Sequence, residues 1–276
     1  MENRAKVLIV DDDQNLRKTL TDILNSRGYD PIAFADGDNA IRHAFSDPPH
    51  LALIDLRLEG KSGIEILGEI RAGSPFTECI VLTGHGSRGT AIEAINLGAY
   101  SYLLKPYDVD QLLLTIQRAV EKSLAEMALR ENEERFRSVT ETAAEAIIVA
   151  NESGDIRFWN AAAVSTFGYQ ADDIIGQPIS TIVPERYIQA HTSSINKSAA
   201  GRSLGRLSSH QDLYGLRKDG SEFPITLSLA SWESSDGRYF SAIIRDVTEV
   251  RETQRRVEAQ ERLAAVGQLA AGIAHD

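Results

Sequence analysis

Five short apolar runs punctuate the first part of the chain: KVLIV at 6–10, PIAF at 31–34, LALI at 51–54, CIVL at 79–82 and YSYLL at 100–104. Segments of helical character separate them, so the pattern predicts five strand-helix units. Unbroken Val, Ile and Leu runs predict strands covered on both faces, hence a parallel sheet with helices on each side. Right-handed crossovers make that sheet doubly wound. From Asp110 the text becomes QLLLTIQRAVEKSLAEMALRENEERFRSV, with neither Gly nor Pro between Asp108 and Gly154. This run of strong helix formers predicts one long helix. Leu113, Ile116, Val120 and Met127, with Ser123 at the intervening core-type position, follow coiled-coil spacing. The stripe suits a parallel dimer seam, and over about its first two turns it suits packing back on the sheet equally well.

A period of two then takes over. AIIVANESGDIRFWN reads as a hairpin around Ser-Gly-Asp, and LRKDGSEFPITLSLAS as a second turn at Asp219 and Gly220 followed by strict alternation. Phe223, Ile225, Leu227 and Leu229 share one face of that strand, and GRYFSAIIRDV supplies the last strand. Trp159 and Phe158 alternate, so one of them faces the core. Short helices broken by Gly176, Pro178 and Pro184 lie between the hairpins, which predicts an antiparallel sheet with helices on one face, an α+β domain. The final run, VRETQRRVEAQERLAAVGQLAAGIAHD, carries Leu263, Val266, Ala270 and Ile273 at the spacing of a helical-bundle seam. The expected organisation is a domain over 1–122, a helical linker over 123–138, a second domain over 139–248 and an outgoing helix over 249–276.

Composition narrows the functional classes. A formal charge of -11 over 276 residues argues against a chain built around nucleic acid or an anionic membrane. No apolar run approaches the about 18 residues that cross a bilayer, and the start MENRAKVLIVDDD lacks the features of a signal peptide, so a cytoplasmic location is expected. The single cysteine, Cys79, sits in an apolar run and is expected to pack.

Polar residues follow the first-domain runs in a telling order: Asp11, Asp12 and Asp13 after the first, Asp55 after the third, Thr83 after the fourth and Lys105 after the fifth. Topology gathers them at one sheet edge, where ligands bind in open α/β folds. Taken singly, an aspartate after a strand is commonly a turn residue or helix cap, which is the reading favoured for Asp13. Taken together, crowded carboxylates require a hard cation, and Mg²⁺ suits oxygen ligands with room for a phosphate.

Residues 1 to about 122 resemble a receiver domain of two-component signalling, through LIVDDD, LALIDLRLEGKSGIEIL, IVLTGHGS and YLLKP. That flavodoxin-like resemblance implies Asp55 as the phospho-acceptor, taking a phosphoryl group from a phosphohistidine. It implies Mg²⁺ held by Asp12, Asp55 and the backbone carbonyl of Arg57, with Asp11 acting through water. Thr83 and Lys105 would hold the phosphoryl oxygens, Gly84 would leave the approach open, and Tyr102 matches an aromatic switch position. Glu59, where a proline is frequent, and Arg57 depart from the pattern, and both are expected to alter the phosphoryl lifetime.

The stretch IRFWNAAAVSTFGYQADDIIGQPISTIVPE, with LRKDGSEFPITLSL and IIRDVTEV, resembles a PAS sensor domain. Such domains carry haem, flavin, metabolites or nothing, and the absence of cysteine in this region excludes a cysteinyl-flavin photosensor. Haem is one alternative: His191 matches the proximal histidine of rhizobial oxygen sensors and Gln211 falls near their distal arginine, although the flanking Thr192, Ser193 and Ser194 are polar for a haem wall. Asp246 and Thr248 match the exit motif of the family, with Thr248 expected to cap the outgoing helix.

The last helix resembles the start of a histidine-kinase dimerisation domain, in which His275 would be the phospho-acceptor and Asp276 the acid that polarises it. Nothing in the chain resembles an ATP-binding catalytic domain, so these residues alone are not expected to autophosphorylate. The ending just after His275 reads as a cut. Together the resemblances imply the regulatory and sensory part of a cytoplasmic sensor histidine kinase. It would dimerise through its linker and C-terminal helices and exchange phosphoryl groups with a phosphohistidine donor, or with a cognate kinase or regulator. The rivals are a non-catalytic interaction module and a haem gas sensor.

Overall fold

The computed structural model describes residues 4–84, 88–188 and 213–273. It divides into two compact units, Met1–Glu134 and Arg135–Asp276.

In the first unit, strands β1 (Lys6–Val10), β2 (Asp30–Phe34), β3 (Leu51–Asp55), β4 (Glu78–Thr83) and β5 (Ser101–Leu104) alternate with helices α1 (Gln14–Ser26), α2 (Gly37–Ser46), α3 (Gly63–Gly73) and α4 (Arg88–Asn96). All pairings are parallel and the order is β2-β1-β3-β4-β5. The order reverses at β1, so the ends of β1 and β3 flank the switch point at which such sheets open a crevice. One sheet face buries Leu8, Val10, Ile54 and Val81 against α3 residues Ile66, Leu67 and Ile70. The other buries Ile9, Leu53, Ile80 and Leu82 with Leu20 and Leu24 of α1. β3 and β4 are covered throughout, as their unbroken apolar text predicts. The PIAF run behaves differently: β2 is an edge strand and Ile32 is exposed. Cys79 is fully buried, which pushes its thiol up to about 12 and makes it a packing residue at neutral pH.

Helix α5 runs from Val109 to Glu141. Its first part corrects the coiled-coil expectation. Ile116 and Val120, together with Leu112 and Ala119, belong to the core beneath β1, β3 and β4. Ser123 donates its hydroxyl to the Phe76 carbonyl at 2.8 Å, and Lys122 pairs with buried Glu78 at 2.7 Å. The stripe is therefore spent on the sheet as far as Ser123, about three turns, and Ile116 and Val120 are not free to face a partner. Further along, Leu129, Phe136 and Val139 are exposed.

The second unit holds β6 (Ala146–Asn151), β7 (Ile156–Trp159), α6 (Ala161–Phe167), α7 (Ala171–Ile174), a 3-10 turn (Ile179–Ile182), β8 (Leu213–Leu216), β9 (Glu222–Ser234), β10 (Gly237–Asp246) and α8 (Thr248–Ile273). Its strands form an antiparallel sheet in the order β7-β6-β10-β9-β8. Phe223 and Ile225 face inward as their alternation predicts, with Leu227 packed at the edge of that core. The Phe167 ring lies 5.4 Å from Trp159 and 5.3 Å from Phe223. Trp159 is thus the inward member of its pair, and Phe158 meets Phe136 of α5 at 5.4 Å. Among the described residues, no helix is long and apolar enough to cross a membrane.

Candidate functional site

At the end of β1, Asp11 is 1% exposed and Asp12 is open to solvent; at the end of β3, Asp55 is 8% exposed. One carboxylate oxygen from each lies within 4.8 Å of the others. Lys105, just past β5, places Nζ 2.8 Å from Asp11 Oδ2 and 2.8 Å from Asp55 Oδ2. Thr83 ends β4 with no exposed surface, and its carbonyl accepts the Lys105 N–H at 2.6 Å. Four strand ends thus converge as the topology requires.

Local hydrogen bonds hold the frame. The Asp13 N–H donates to Asp11 Oδ1 at 2.8 Å, and the Arg57 N–H to Asp55 Oδ1 at 3.2 Å. Asp13 itself is the cap of α1, accepting from the N–H groups of Asn15 and Leu16. Helix α3 starts against the β3 end so closely that a Cβ on Gly63 would lie 2.2 Å from the Asp55 carbonyl oxygen, so only glycine fits there.

The electrostatics are unbalanced. Burial, with help from the Asp55 charge, holds the Asp11 carboxyl above its ordinary range despite the lysine. Burial also opposes the Lys105 ammonium, yet its hydrogen bonds to Asp11 and Asp55 prevail and raise its pKa. Two carboxylate charges this close repel by about 3 kcal/mol at an intermediate effective dielectric; the shared ammonium offsets that repulsion, but one lysine against three acids leaves the cluster with excess negative charge. Oxygen donors at this spacing fit a hard divalent cation.

The second unit has a different polar centre. Asn160 has no exposed surface; its Oδ1 accepts from the N–H groups of Ile147 and Ala163 at 2.9 Å each, and its Nδ2 donates to the carbonyls of Thr140 at 2.8 Å and Glu145 at 3.1 Å. Where β10 leads into α8, Asp246 Oδ1 accepts from Thr248 N–H at 2.8 Å and Thr248 Oγ1 at 2.6 Å. Thr248 serves here as the donor, and the carboxylate of Asp246 takes the first groups of the helix. Arg217 pairs with Asp246 Oδ2 at 2.6 Å while stacking 3.7 Å over the Phe223 ring.

Residues 7–117 match the family described as response regulator receiver domain, and residues 144–249 match the PAS domain family. Residues 7–117 form a receiver domain, and residues 144–249 a PAS domain that follows it. It is 31% identical over 163 residues to sensor protein FixL of Bradyrhizobium diazoefficiens, covering 56% of this chain and 32% of that protein. It is 36% identical over 117 residues to regulatory protein AtoC of Escherichia coli, covering 42% of this chain and 25% of that one. A CheY-like receiver domain protein structure from Methanospirillum hungatei aligns with 45% of this chain and 99% of its own at 27% identity and a TM-score of 0.44. The chain spans about a quarter to a third of the length of these curated relatives.

Within the receiver, the residues expected at the site stand together: Asp11, Asp12, Asp55, Thr83 and Lys105, with Arg57 in the turn that follows β3. Tyr102 lies on β5, three residues before Lys105, with its hydroxyl 3.4 Å from Thr90 Oγ1. Glu59 and the Arg57 side chain are exposed, and a Cβ on Gly84 would meet nothing within 4 Å. His191, Gln211, His275 and Asp276 lie outside the described residues. The strand-end pattern did not point to Arg17, Gly63 or Tyr107, whose hydroxyl is buried without a hydrogen-bond partner among the described residues. A helix residue, a glycine and an aromatic give no polar signal at a strand end.

Proposed function

We propose that this chain is the regulatory and sensory part of a two-component sensor histidine kinase, whose receiver takes up a phosphoryl group on Asp55. The observation that carries the proposal is a buried pair of carboxylates sharing one lysine, 2.8 Å from each, at the end of the sheet. Asp12, Asp55 and the Arg57 carbonyl would hold Mg²⁺, with Asp11 acting through water. When bound, the cation neutralises charge that develops on the phosphoryl oxygens. An Asp55 oxygen attacks phosphorus as the bond to the donor nitrogen breaks, and the imidazole leaves with a proton. The Lys105 ammonium moves from the carboxylates to a phosphoryl oxygen, and the Thr83 hydroxyl donates to another. Tyr102 then follows the hydroxyl inward as a switch.

Similarity to a sensor protein over 163 residues supports placing a PAS sensor beside this receiver. Signal leaves the PAS domain through Asp246 and Thr248 into α8, on which exposed Val250, Val257 and Leu263 suit pairing with a second copy. Exposed Leu129, Phe136 and Val139 on α5 suit the same homodimer. The α8 helix leads towards His275, the kinase phospho-acceptor in this reading. The test is incubation with Mg²⁺ and a small phosphodonor, or beryllofluoride, with modification followed by mass or by a phosphate-affinity gel. Wild type should be modified and Asp55→Asn should not; equal responses reject the site.

A further inference from the structure

We propose that Arg17 is a positioning residue that aims Asp12 at the cation; this rests on the phosphoryl-site reading above. Of the three clustered acids, two have tethered carboxylates. Asp11 is held by the Asp13 N–H and by Lys105, and Asp55 by the Arg57 N–H and by Lys105. Asp12 is exposed, and among the described residues its carboxylate has no hydrogen-bond partner. No side-chain hydrogen bond fixes its aim, so its backbone sets where the carboxylate can reach.

That backbone is held on both sides of Asp11. In the preceding peptide the Asp11 N–H donates to the Phe34 carbonyl at 3.2 Å, and in the Asp11–Asp12 peptide the Asp11 carbonyl accepts from the Arg17 guanidinium at 2.5 Å. Arg17 sits one turn into α1, its own N–H bonded to the capping residue's carbonyl, Asp13, at 3.0 Å. Side chains on a helix lean toward its N-terminus, which brings this guanidinium back over the strand end. Turning the Asp11–Asp12 peptide would swing the Asp12 carboxylate and would break this charge-assisted bond. Arg17 thus resists that rotation, and it does so without touching the carboxylate.

A second reading of the same residue gives the opposite sign. As a mere nearby cation, Arg17 would oppose Mg²⁺, and removing it would tighten binding. As a positioning residue, its removal loosens Asp12 and weakens binding.

Calorimetric titration of magnesium chloride into the full chain separates the two. Arg17→Ala should weaken Mg²⁺ binding about five- to tenfold, a fraction of one charge-assisted hydrogen bond because Arg17 acts only through the backbone, and Arg17→Lys should recover part of the loss. Affinity in Arg17→Ala equal to or tighter than wild type overturns the inference. Should circular dichroism show Arg17→Ala unfolded, Arg17→Lys is compared with Arg17→Met: tighter binding by the lysine variant supports positioning, and equal or tighter binding by the methionine variant overturns it. A wild type that takes up no Mg²⁺ removes the phosphoryl-site reading and this inference together, whereas intact wild-type binding with an indifferent Arg17 removes this inference alone.

Discussion

The receiver cup and the Asn160 centre of the PAS domain both bury polar groups, and they treat them in opposite ways. Asn160 meets two donors and two acceptors, so each of its hydrogen-bonding functions within the fold is answered. The cup places two buried carboxylates on one ammonium and leaves a third beside them. A satisfied network adds rigidity and offers a ligand little, while an unbalanced one stores repulsion that a cation or a phosphoryl group can relieve. Buried polarity therefore marks chemistry only where its partners do not add up.

The contrast is broken most sharply by paired substitutions. Asp55→Asn should abolish phosphoryl uptake entirely and yet raise the stability of the metal-free receiver by about 1 kcal/mol, because it removes one of three crowded charges while Lys105 keeps Asp11 as its partner. Asn160→Ala should do the reverse, lowering PAS stability by about 3 kcal/mol through several buried groups left unanswered, with no effect on uptake at Asp55. Urea unfolding with separate probes for the two domains reads both, and a destabilised Asp55→Asn with an indifferent Asn160→Ala would undo the distinction.

A smaller effect is expected at the opposite end of β4. Lys122→Met leaves the Glu78 carboxylate buried and unpaired, and should cost about 2 kcal/mol of receiver stability, less than a fully enclosed pair because the lysine is half exposed. Glu78→Gln combined with Lys122→Met should recover most of it in the same unfolding assay.

The smallest effect concerns pH. His50 is half-buried and accepts the Lys6 N–H on Nδ1 at 2.9 Å, and burial lowers its pKa below the ordinary 6.5. The folded state thus resists a proton that the unfolded chain accepts. Its contribution is complete above 6.5 and fades as the pH falls below that value. As the pH falls from about 7.5 to about 5.5, wild type should lose more stability than His50→Asn. Identical slopes would remove His50 from this account.

Much of the site is legible in the sequence. Asp11, Asp12, Asp55, Thr83 and Lys105 each follow an apolar run, and parallel strands bring all such positions to one edge. Arg17 and Gly63 could not be read in this way, because each acts on the backbone of a residue several positions earlier in the chain, a contact that only folding makes. The long helix shows the same limit. Ile116 and Val120 keep a spacing that serves a partner helix or a sheet equally well over about three turns, since 3.5 and 3.6 residues per turn diverge only slowly. Packing against β1, β3 and β4 decided in favour of the sheet.

By itself the amino-acid order determined the alternation of strands and helices, the two sheet types, and the edge at which acids collect, because periodicity and strand ends are local properties written in residue type. Only the tertiary structure decided which partner claims an apolar stripe, which buried polar group is satisfied, and which cation shares two carboxylates. Those outcomes depend on distances between segments that no local pattern encodes.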